Sequence, residues 1–132
     1  MAKPDDLPDD LAAFRASYAS LFGSVPPLPE KKFAFSGDVA PDFLRIAEAL
    51  RAHAFDSTVF DTKQTQLMLF GMLLATESNA ARFHAIAARR VGATWQELHK
   101  VVELAAAVRA LGPLNQGSAM LEELRAAASD AP

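Results

Sequence analysis

Thr76-Glu77-Ser78-Asn79-Ala80-Ala81-Arg82-Phe83-His84-Ala85-Ile86-Ala87-Ala88-Arg89-Arg90-Val91-Gly92-Ala93-Thr94 reads as a short turn, a helix, a glycine stop and the cap of a following helix. Ser78 or Asn79 suits the N-cap. Gly92 suits the left-handed position that ends a helix, and Arg89 and Arg90 complement the C-terminal dipole. Seven helical steps from Glu77 to His84 fall about 20° short of two turns, so both side chains leave one face roughly 10 Å apart. Ala80 and Ala81 between them leave room for a ligand. The pair is either an active site or a solvated glutamate beside a partly buried histidine.

Working outward, Thr94-Trp95-Gln96-Glu97 and Asp61-Thr62-Lys63-Gln64 are both capping-box patterns. The first opens an apolar helix expected to stop at Gly112-Pro113, followed by a last helix over 114–128. The second opens a helix over 62–76 whose Leu67-Met68-Leu69-Phe70-Gly71-Met72-Leu73-Leu74 half is apolar all round and needs cover on every side. In a chain of 132 residues a subunit interface would supply that cover. Gly71 marks a close helix crossing.

Toward the N-terminus, Pro41 suits the first position of a helix to about Ala54, with Phe43, Leu44, Ala47, Leu50 and Ala54 on one face. Residues 24–29 carry three prolines and read as extended, and 30–38 as an ordered loop. Leu11, Phe14, Tyr18, Leu21 and Phe22 form the docking stripe of a first helix, capped by Asp9 or Asp10 and stopped by Gly23. Residues 1–8 read as a frayed tail. No stretch alternates as a strand would. The reading is an all-α bundle of about six helices with the pair 62–76 and 79–91 at its centre. Residues 1–40 would form an N-terminal helix and proline-rich extension packing on a helical domain over 41–132.

Composition narrows the function. A net charge of −3, without a basic run, argues against a nucleic-acid or acidic-membrane partner. The chain has no cysteine, which excludes disulfides and thiol redox chemistry. The longest apolar run is about half of what spans a bilayer. An acidic, proline-broken N-terminus is unlike a signal peptide. A soluble, cytoplasmic protein is expected.

The pair 62–76 and 79–91, with His84-Ala85-Ile86-Ala87-Ala88-Arg89-Arg90-Val91-Gly92-Ala93-Thr94-Trp95-Gln96-Glu97-Leu98 after it, resembles the carboxymuconolactone decarboxylase family, which includes the alkylhydroperoxidase-D-like proteins. The likeness covers roughly residues 60–117. It implies a homo-oligomer, a trimer or hexamer, and a role in the breakdown of aromatic compounds. His84 falls on the family histidine. The two redox cysteines of the peroxidase branch would fall at Glu77 and Ala80, and that branch's preceding glutamate near Thr65, so thiol peroxidase activity is ruled out. The decarboxylase branch needs no cysteine, but places its glutamate where Ala80 stands.

Two functions follow. One is a cofactor-free lyase or isomerase acting on a small carboxylic acid or lactone. In it His84, titrating near neutrality, delivers protons, and Glu77 is a base or orienting acceptor. Lys63 and Arg82 are the candidate cations for a substrate carboxylate. Trp95 is either a packing anchor or a ligand platform. The other is a non-catalytic helical scaffold or small-ligand binder. No metal is expected, because i,i+7 spacing is too long for both side chains to hold one ion. His53 and His99 read as surface residues.

Overall fold

A computed structural model describes residues 6–56 and 58–130. They form six helices: α1 (Asp9–Phe22), α2 (Pro27–Val39), α3 (Pro41–Phe55), α4 (Thr62–Ala75), α5 (Ala81–Arg90) and α6 (Trp95–Ser129). The all-α expectation holds. No helix among the described residues is long and apolar enough to cross a membrane.

Helix α5 sits between two cores. On one side Ala87 packs with Leu11, Tyr18, Phe22, Phe33 and Leu44, drawn from α1, α2 and α3. On the other, Ala81 and Ala88 pack with Phe70 of α4 and Ala93 and Leu98 around the start of α6. Small side chains on both faces let α5 lie close to its neighbours. At Gly71 an added Cβ would stand 3.0 Å from a Val101 methyl, so α4 and α6 do cross closely there.

The helix-end chemistry holds at several points. Both capping boxes form, with Asp61 and Thr94 accepting from the N–H groups of Gln64 and Glu97. Gly23 and Gly92 take left-handed backbone at φ 88° and 98°. At the start of α5, however, Ala80 is the N-cap and no side chain caps the helix. Helix α1 starts at Asp9 after Pro8, without the side-chain cap expected of Asp9 or Asp10.

Three larger expectations are corrected. The segment read as extended and loop is α2: Pro26 is its N-cap, Pro27 its first residue, and Pro29 lies in the first turn. Those positions need no intrahelical N–H bond, so the prolines start a helix instead of forbidding one. The first helical bond runs from Glu30 N–H to the Pro26 carbonyl at 3.0 Å. Second, Pro113 does not end the fifth helix, because α6 runs through it to Ser129. Pro113 forfeits only the bond to the Arg109 carbonyl, and the alanine- and leucine-rich turns further out on both sides carry the helix past it. Third, α3 turns inward through Leu44 and Glu48, while Phe43 and Leu50 are exposed. A buried ionic group, invisible to an apolar pattern, chose the face. At the N-terminus, residues 1–5 lie outside the described ones. Leu7, expected to fray, is half-buried against the α1 core, and a side chain at Gly37 would have to push its methyl aside.

Candidate functional site

His84 projects from the inner face of α5, where Ala81, Ala87 and Ala88 are its buried companions. Its ring stands edge-on to Phe22 and Phe55, with centroids 5.3 and 6.0 Å away. Nδ1 lies 2.6 Å from Oε1 of Gln66, a buried residue of α4. An amide oxygen only accepts, so this geometry assigns the proton to Nδ1 and leaves Nε2 as a lone pair. Nε2 makes no hydrogen bond among the described residues, and His84 is one of the residues lining a neighbouring cavity. Burial, reinforced by the positive charge of Arg51, lowers the imidazole pKa to about 4. At neutral pH His84 is therefore uncharged, and the same burial makes its free ring nitrogen a weaker base than an ordinary imidazole. The expected titration near neutrality is corrected, because desolvation penalises the cation.

The cavity has a volume of about 440 Å³. Phe22, Phe83 and the Pro26–Pro29 turn give it apolar walls, and Tyr18, Arg51 and His84 supply its polar edges. That volume lies in the range of small-molecule sites. On the other side of Arg51 is a second cavity of about 730 Å³, bordered by Gln66 and by Asp10 and Asp56. The smaller one is the candidate site because His84 opens onto it.

Behind Tyr18 lies an ionic group centred on the buried Glu48. The phenol donates to the Glu48 carboxylate, at 2.9 and 3.1 Å from its two oxygens. Lys32 Nζ donates to the same phenol oxygen at 2.7 Å and pairs with Glu48. Burial raises the pKa of Tyr18, so the phenol stays protonated. Arg51 lies over the Tyr18 ring, its guanidinium carbon 3.7 Å from the centroid, with the Phe55 ring centroid 5.3 Å away.

Glu77 is not where the helical reading put it. It precedes α5, in left-handed backbone at φ 56°, with an exposed carboxylate 3.6 Å from Arg109. The N–H of Glu77 bonds the Leu74 carbonyl and that of Ser78 the Leu73 carbonyl, the two-bond pattern that closes a helix end. Glu77 thus terminates α4, and it shares no helix face with His84. Lys63 pairs with Glu97 at 3.0 Å, joining the first turns of α4 and α6. Arg82 is exposed on α5. Trp95 is exposed with Arg89 stacked 4.2 Å over its ring, so it does not anchor packing. None of these four lines the cavity of His84. His53 and His99 are on the surface, as expected.

Sequence reasoning missed Tyr18, Lys32, Glu48, Arg51 and Gln66 as site residues. A signal for two of them existed: Leu44, Glu48, Arg51 and Phe55 step by four, three and four, one face of α3 with its polar members inside. Among the described residues no group of three His, Asp or Glu side chains is arranged to hold a metal. No family model, curated protein or solved structure matches the chain.

Proposed function

We propose that the chain is a cofactor-free enzyme of the lyase or isomerase class, in which His84 moves a proton on a small carboxylic acid or lactone. The observation that carries this reading is the pairing of His84 Nδ1 with Gln66, which leaves a neutral imidazole with a free Nε2 on a mostly apolar cavity. A general base needs that protonation state at neutral pH. Nε2 takes a proton from the carbon between a carbonyl and a C=C bond, the electrons spread into a dienolate, and the imidazolium returns the proton at the γ carbon as the double bond moves into conjugation. Isomerisation follows. Decarboxylation instead breaks a C–C bond to give the enolate and then needs an imidazolium donor, which the lowered pKa disfavours in the empty cavity. Glu77 has no part in this scheme.

Membership of the carboxymuconolactone decarboxylase family belongs to the same proposal. Its support is the α4–α5–α6 arrangement and a histidine facing a cavity. A homo-oligomer is also part of it. Beyond Ala105 every residue of α6 except Gly117 is exposed, including Leu111, Leu114, Leu121 and Leu124. Those same side chains favour one other reading, a helical scaffold whose function is assembly.

Deuterium incorporation from D2O separates the two. Incubated with a carboxylated butenolide, the enzyme should exchange the proton next to the carbonyl. His84→Gln should slow that exchange by roughly 100-fold or more. Equal exchange by both proteins would remove His84 from the chemistry, and exchange by neither would favour the scaffold.

A further inference from the structure

We infer that Arg51 is the anion-binding residue of the His84 cavity, and that the ligand it selects is a small cyclic monocarboxylate. The inference rests on the proposed function only in placing the ligand beside His84.

Charge is the first argument. Around Tyr18 two cations, Lys32 and Arg51, meet one carboxylate, Glu48. Glu48 is occupied by Lys32 and the phenol, and Arg51 forms no ion pair among the described residues. Its one hydrogen bond, from Nη1 to Ser17 Oγ, is long at 3.5 Å. Asp10, across the larger cavity, is held by Arg45 at 2.6 Å. A half-buried guanidinium with no counterion carries a standing desolvation cost that an incoming anion would relieve.

Geometry is the second. Placed over the Tyr18 ring, Arg51 uses only Nη1 in a hydrogen bond among the described residues, the long one to Ser17, which leaves its Nε–Nη2 edge for a ligand. That edge matches the two oxygens of a carboxylate. Phosphate, carrying more charge, needs more donors than this mostly apolar cavity supplies. The walls of Phe22, Phe83 and Pro26 suit the flat faces of a ring.

The test is calorimetric titration of the full-length protein with benzoate, benzamide and inorganic phosphate. Benzoate should bind, and benzamide, the same shape without the charge, should bind at least about 10-fold more weakly. Arg51→Gln should lose benzoate affinity by about 10-fold or more. Arg51→Lys, which keeps charge but not the fork, should lose less. The benzoate-against-benzamide comparison needs no variant, so an unfolded Arg51→Gln would not spoil the test. Equal binding of benzoate and benzamide, unaltered benzoate affinity in both variants, or preference for phosphate would each overturn the inference. Benzoate binding that depends on Arg51, with exchange unaffected by His84→Gln, would keep this subsite and reject the catalytic role of His84. Exchange that depends on His84 without benzoate binding would do the reverse.

Discussion

His84 shows how one hydrogen bond sets a side chain's chemistry. Its folded pKa of about 4 lies below the ordinary histidine value of 6.5. The unfolded chain therefore takes the proton first, and the stability held in the neutral ring is complete above pH 6.5 and lost as pH falls toward 4. Urea midpoints at pH 7 and pH 5 should drop further in the wild type than in His84→Gln, and equal drops would contradict the burial. Glu48 gives a second prediction. Lys32→Met removes its cation and leaves a carboxylate, 1% exposed, with only the Tyr18 phenol. That should cost about 3 kcal/mol in chemical denaturation, much of it regained when Glu48→Met is added. A double variant no more stable than the single would contradict this. The sequence made His84 legible, but its partners were hidden. Gln66 and Arg51 look like solvent residues until the fold brings them together.

Helix ends were the most readable elements, because a cap is local chemistry. Asp61, Thr94, Gly23 and Gly92 act as their types suggest. Glu77 failed as an expectation for the same reason glycine succeeds elsewhere. It holds the left-handed position that ends α4, and nothing in its side chain announces that. Glu77→Gly should therefore stabilise the protein by about 1 kcal/mol through relief of backbone strain, and leave proton exchange unchanged. A lower melting temperature, or lost exchange, would show that the side chain does more than pair with Arg109. The α2 prolines and Pro113 carry the complementary lesson. What a proline does depends on whether its missing N–H had a partner, and that depends on its place in the helix.

For the whole molecule, the unresolved matter of cover has moved. The all-round apolar α4 pointed to a subunit interface. In the fold α5 and α6 cover much of it, but Met72 stays exposed, and α6 adds Leu104, Val108, Leu111 and Leu114 along its free length. Met72, Leu104 and Val108 line one groove, and Leu111 and Leu114 follow as exposed side chains further along α6. Sedimentation should give a multiple of 14.2 kDa, and Leu114→Glu with Leu121→Glu should shift it toward the monomer. A wild-type monomer would contradict assembly through α6. The proposed chemistry depends most on the state of His84, and long-range proton–nitrogen NMR of its imidazole measures that directly. It should show Nδ1 protonated and Nε2 bare at pH 7, with titration near pH 4. An imidazolium at pH 7, or a proton on Nε2, would contradict it.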